Sequence, residues 1–368
     1  MLTGTSIAAA ETPGSPGELV SVTELAPEAT LPGSVGGRRL VHWSTGVGER
    51  PALNSAAVHL PPGEPPAGGW PIVVWAHGTI GLADHCAYSI AGPILRERDW
   101  GHLGAWLRQG YAIIATDYVG LGTPGPHPKD NGTVAAHSVV DAATAGVRAL
   151  PGVLSNRWVV AGQSQGGAAA LWAAREATRR GTETDYRGAV ATGVPGLLEN
   201  AVLALGPHVP PVPIAADTTA VALYSLSGLR TSFPQLDIDS YLTDAGRYWL
   251  GRAEQVCEAE LADEVSAARV VLGDMFAKPL AALPDAPELL REHMGIPVTG
   301  YDRPVFIGQG LFDTQSPAPG TLAVAALMRE HNQPVTLRTY PADHSGTLRA
   351  SLPDSIAFVR GILPPGGP

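Results

Sequence analysis

The chain has 368 residues, 45% hydrophobic and 16% charged, with a formal net charge of −10. This describes a globular protein with ample length for a large core, and no run of about 18 apolar residues offers a membrane span. The negative balance, unbroken by any basic cluster, argues against nucleic acid and anionic membrane surfaces as partners.

Near the N-terminus no long apolar stretch marks a signal peptide. Ala8-Ala9-Ala10 before Glu11 nevertheless has the small-residue form of a leader cleavage site, so secretion is expected and a cytoplasmic location stays open. Residues 1–37, rich in Pro, Gly and Ser from residue 11, are expected to form an extended arm. RRLVHWST and ALNSAAVHL, joined by GVGERP, read as an antiparallel strand pair, and PPGEPPAGG as a linker. Apolar strands then recur: PIVVWA, YAIIAT, WVVAG, GAVATGV, PVFIGQG and PVTLRTY. Helical patterns at 100–109, 134–150, 168–180 and 318–330 lie between most of them. This alternation implies an α/β fold with a mostly parallel sheet of eight strands, covered by helices on both faces. Ligands bind such sheets at the carboxyl ends of the strands.

The interval 195–300 lacks a clear strand and carries helical patterns at 238–273 and 287–295. It is too long for a connecting loop. It reads as a helical cap inserted between the sixth and seventh strands of a core formed by 38–194 and 301–368; a helical excursion clear of the site is the alternative.

The most informative segment is RWVVAGQSQGG. A short apolar strand, Gly162-Gln163-Ser164-Gln165-Gly166, and a helix-forming run follow one another, as in a nucleophile elbow. With 44 glycines in the chain, G-x-S-x-G is expected by chance roughly 0.3 times, so the flanking strand and helix carry the assignment. A Ser hydroxyl needs a general base, and the base an orienting acid. The order Ser, acid, His is met by Ser164, by Asp313 after PVFIGQG, and by His344 after PVTLRTY. Asp343 and Asp302 are weaker candidates: one neighbours the His in sequence, and the other precedes its strand. The oxyanion donors should be the backbone amides of Gln165 and of Thr79, which follows PIVVWA. His77 is expected to pack in its loop, Asp117 to bond structurally, and the glycine-rich run 120–125 to form a tight loop without the Lys of a phosphate loop. Tyr248 and Trp249 could line an acyl pocket or hold the cap. Two cysteines, Cys86 and Cys257, offer no metal spacing; free thiols and one long-range disulfide are both open.

With these residues the chain resembles an α/β-hydrolase, and more narrowly the secretory lipase family. The resemblance rests on residues 68–89, residues 110–128, the elbow, the GLFD loop and the DHSG loop. It implies hydrolysis of small-molecule or lipid esters, no cofactor, a helical lid, secretion, and transient lipid contact through the cap. It maps the triad onto Ser164, Asp313 and His344, and the oxyanion donors onto Thr79 and Gln165. It also pairs Cys86 with Cys257. Tyr88 and Gln163 depart from the family's commoner Pro and His, which leaves acyl-pocket shape and rate open. An acyltransferase, a serine peptidase and a non-catalytic binder are the rival readings; acyl length and oligomeric state are not legible.

Overall fold

The computed structural model describes residues 13–180, 183–210 and 214–366; the Ala8–Ala10 motif lies outside them. The apolar runs form β2 (Val35–Thr45), β3 (Pro51–Leu60), β4 (Trp70–Ala76), β5 (Ala112–Thr116), β6 (Leu154–Gln163), β7 (Asp185–Thr192), β8 (Val305–Gly310) and β9 (Val335–Tyr340), preceded by β1 (Leu19–Glu24). The sheet therefore has nine strands rather than the eight expected, in the order β1-β2-β3-β5-β4-β6-β7-β8-β9. The additional strand, β1, lies within the stretch expected to be an extended arm. Its side chains are almost all exposed, so burial left no alternation to read. Backbone pairing with β2, Val22 opposite Leu40, holds it at the sheet edge.

Strands β1 to β3 are antiparallel, as is the β3–β5 pair, and the remaining strands run parallel. Helices α1 (Tyr88–Ala91), α2 (Arg96–Arg108), α3 (Gly132–Ala149) and α4 (Gln165–Arg180) follow in the first half. Successive side chains of a strand point to opposite faces. Ile72, Val74 and Ala76 of β4 accordingly meet Val139 and Leu171 from α3 and α4. Val73 and Trp75 meet Leu103 and Trp106 of α2 on the other face.

Between β7 and β8 lie α5 (Leu198–Leu203), α6 (Ala216–Ser232), α7 (Asp244–Ala253), α8 (Glu258–Ala268) and α9 (Ala286–Met294). They bury a separate apolar cluster that includes Leu223, Tyr224, Leu250, Leu261 and Leu290. The 238–273 pattern breaks into two helices, and α6 was not legible as a helix. Its apolar stripe is interrupted by Thr, Ser and Gly because it crosses the main chain closely: a Cβ on Gly228 would stand 2.0 Å from the Lys129 carbonyl oxygen. A buried ion pair beside this crossing, Lys129 with Asp130 at 2.9 Å, also receives the Ser225 hydroxyl of α6 at 2.6 Å. After β8 come α10 (Ala318–Glu330), α11 (His344–Ala350) and α12 (Leu352–Ile362).

At the end of β5, Asp117 is fully buried. Its carboxylate accepts from the Ser55 hydroxyl at 2.6 Å and from the Ser89 amide at 2.8 Å and hydroxyl, tying β3 and α1 to the strand. This is the structural role expected for it. Burial pushes its carboxyl up to about 6, against the Ser hydrogen bonds that lower it. The folded chain then holds that proton more tightly than the unfolded chain. On this account unfolding free energy declines as pH rises from the usual carboxylate range to about 6. Asp117→Ala, which strands these donors, is expected to cost about 3 kcal/mol by urea denaturation at pH 7.5, and the decline with pH should vanish with it.

Candidate active site

The elbow is built by backbone contact. A Cβ on Gly162 would stand 2.0 Å from the Gly166 oxygen, and one on Gly166 would stand 1.8 Å from the Ala76 oxygen. Only glycine lets β6, the start of α4 and the end of β4 meet this closely. Between them Ser164 is held at φ 59°, in the left-handed region. Its amide donates to the Thr192 oxygen at 2.9 Å and its carbonyl accepts from Ala168 at 3.1 Å.

Asp313, in the loop after β8, places Oδ2 2.7 Å from Nδ1 of His344. Its other oxygen accepts from the amides of Gln315 at 3.0 Å and Ser316 at 2.7 Å. The carboxylate is thereby fixed on both sides. His344 opens α11, whose first turn is capped by Asp343 through the Gly346 amide at 2.7 Å. Asp343 is thus a helix cap, and Asp302 accepts from the Thr178 hydroxyl at 2.7 Å. Ser164 and His344 line one cavity together with Gly78 and Thr79.

A side chain that sequence reasoning did not assign joins this arrangement. Gln163 is fully buried; its amide nitrogen donates to the His344 carbonyl at 3.0 Å and its oxygen accepts from the Thr192 hydroxyl. It lies beneath the site and supports the main chain of His344, whereas the sequence left it open as a shaper of the acyl pocket. Nothing in the G-x-S-x-G pattern marks its first variable position as a support.

A Cβ built on Gly78 would stand 3.5 Å from the Ser164 Cβ, so the loop after β4 abuts the elbow. The Thr79 hydroxyl donates to the Gln165 side-chain oxygen at 3.2 Å. The backbone amides of Thr79 and Gln165 have no hydrogen-bond partner among the described residues. His77 is buried, stacks on Tyr88 and packs edge-on to Tyr118; burial lowers it to about 4, leaving a neutral packing residue. In the 120–125 loop the Gly122 amide donates to Asp84 at 3.0 Å and its carbonyl accepts from Arg39 at 2.7 Å. Trp249 packs on the apolar cluster between β7 and β8, while Tyr248 is 64% exposed; neither lines the cavity.

Cys86 and Cys257 form a disulfide with Cα atoms 5.6 Å apart. Beside it, Gly81 and Cys257 make an antiparallel bridge and the Glu258 amide donates to the Ile80 oxygen at 3.0 Å. The residues just after Thr79 are therefore fastened to the start of α8.

A family model described as secretory lipase matches residues 97–323, more than half of the chain. No curated protein matches. Among solved structures, Candida antarctica lipase A in its closed state is similar with a TM-score of 0.75 at 16% identity, covering 95% of this chain and 82% of that one. A rice cell wall degrading esterase, LipA, from Xanthomonas oryzae is similar with a TM-score of 0.75 at 17% identity, covering 95% and 99%. At such identities the structural likeness carries the fold, an α/β-hydrolase, while the family match carries the class of chemistry. Together with the sheet, the elbow and the cavity described above, it establishes that this chain belongs to the secretory lipase family and is a carboxylic ester hydrolase.

Proposed function

We propose that the chain cleaves small-molecule or lipid esters by way of an acyl-enzyme, with Ser164 as nucleophile, His344 as general base and acid, and Asp313 as the group that orients the imidazole. The observation that carries this reading is the 2.7 Å contact of Asp313 with His344 Nδ1, on a ring that shares the cavity of Ser164. The contact fixes the tautomer that presents Nε2 to the nucleophile. Ser164 attacks the ester carbonyl, His344 takes its proton and passes it to the departing alcohol, and water repeats the cycle on the acyl-enzyme. The unpaired amides of Thr79 and Gln165 receive the oxyanion, Gln165 at the positive end of α4. The helices between β7 and β8 act as the lid over this cavity, their side being represented by Asp217, Val221 and Glu258. Export from the cell belongs to the same proposal: the family's description and the disulfide both favour an oxidising compartment.

Ser164→Ala is expected to abolish hydrolysis of p-nitrophenyl butyrate and labelling by a fluorophosphonate, with an unchanged circular dichroism spectrum; turnover by the folded variant would refute the assignment. Asp313→Asn should lower kcat by about 10⁴-fold, because the amide favours the wrong tautomer, while substrate binding changes little. Gln163→Leu should lower kcat by about tenfold with little change in KM, as the main chain of His344 loses its support; an equal loss in a variant that has merely unfolded is separated by the melting curve.

A further inference from the structure

Four charged residues that the mechanism does not use, Arg98, Asp99, Asp217 and Glu258, line the cavity. Glu258, the first residue of α8, lines the cavity with Ser164 and His344. Its carboxylate has no hydrogen-bond or ion-pair partner among the described residues. Its main chain is immobilised: the amide is bound to Ile80, and the preceding residue is both disulfide-linked to Cys86 and bridged to Gly81. A second carboxylate, Asp217 in the first turn of α6, lines the same wall. It is held by the Gln315 side chain at 2.5 Å and the Thr218 amide at 2.7 Å. Arg98 also lines the cavity, but Asp99 takes its Nε at 2.7 Å and Ser345 its Nη1 at 3.3 Å. Arg98, His344 and Lys129 act on Glu258 only at a distance, none as an ion pair among the described residues, and the wall contributed by α6 and α8 carries two carboxylates. Burial, and next the Asp217 carboxylate, push Glu258 above the usual carboxylate range, as expected where two anions face each other across a partly dry space.

We propose that Glu258, aided by Asp217, is a specificity-determining residue that favours ester substrates bearing a cationic ammonium group and disfavours anionic ones. The inference rests on the esterase reading above. An unpartnered carboxylate on a fixed main chain, in a partly desolvated cavity, attracts a positive group without having to give up a bond of its own. The group can enter on the alcohol part or the acyl part of the ester, and the shared chemistry is the ammonium. Both carboxylates also sit where a helix macrodipole favours negative charge. A role confined to that would alter stability and leave substrate charge preference untouched.

The test compares isosteric esters that differ by one charge, at pH 8 and low salt. For the alcohol side these are choline butyrate and 3,3-dimethylbutyl butyrate. For the acyl side they are the p-nitrophenyl esters of 4-(trimethylammonio)butyrate and 5,5-dimethylhexanoate. In at least one pair, the ratio of kcat/KM for the cationic ester to that for the neutral one should fall about tenfold in Glu258→Gln, and less in Asp217→Asn. Because each ratio is taken within one variant, a general loss of activity cancels. An unchanged ratio in both pairs overturns the proposal. Should Glu258→Gln not fold, inhibition of the unmodified enzyme decides. Choline or 4-(trimethylammonio)butyramide should bind about tenfold more tightly than its neutral isostere, and equal inhibition in both pairs overturns the idea. If no ester is turned over, p-nitrophenyl butyrate included, it is the esterase reading itself that fails.

Discussion

The contact on which the site depends is one of main chain against main chain, where β6 turns into α4 beside the end of β4. Gly162 and Gly166 leave no room for any Cβ, and Ser164 between them is held at φ 59°. For a residue other than glycine that conformation costs roughly 1–2 kcal/mol. The cost is offset by the parallel sheet, whose strands β4, β6 and β7 fix the three approaching backbones, and by the buried helix packed beneath. The same crowding brings Gly78 against Ser164, and the amides of Thr79 and Gln165 have no partner among the described residues. A local strain thus accompanies the placement of Ser164 beside the loop after β4.

Around that point the support comes from side chains far apart in sequence. Asp313 is held by two amides of its own loop, and His344 by Gln163 from beneath and by the Asp343 cap at the start of α11. Gln315 is a link between layers: its amide serves Asp313 while its side chain holds Asp217 of α6. Among the described residues the segment between β7 and β8 is also tied to the rest of the chain by Ser225 on Asp130, by Ser232 on Asn131 and by the disulfide. Gln315 thus spans from α6 to the carboxylate that contacts the imidazole.

What could be read from the sequence follows from how locally each feature is encoded. The parallel strands β4 and β5 were legible because they are buried on both faces, so each is an unbroken apolar run, whereas β9 is largely exposed and carries Thr and Arg. The elbow was legible because a close backbone approach forces two glycines at fixed spacing. Asp313 and His344 were found from their order after β8 and β9, and the structure brings them to 2.7 Å. Strand β1 was not legible, because hydrogen bonds to β2 hold it while its side chains face solvent. Helix α6 was hidden by the small residues that its crossing with Lys129 requires. Gln163 escaped because its partner, a main-chain oxygen 181 residues away, leaves no trace in local pattern.

The disulfide joins positions 171 residues apart, so it closes a covalent ring around β5, β6, β7 and everything between them. Ser164 lies within the ring; Asp313 and His344 lie on the tail beyond it. A peptide bond cut anywhere inside the ring leaves both halves on one molecule, and Ser164 stays tethered to Asp313 and His344. A cut between the ring and the tail severs them. A cut between Asp313 and His344 likewise parts one of them from Ser164, so 258–343 is the stretch where a single nick divides the three residues covalently, whereas a nick inside the ring divides the chain only once the disulfide is reduced.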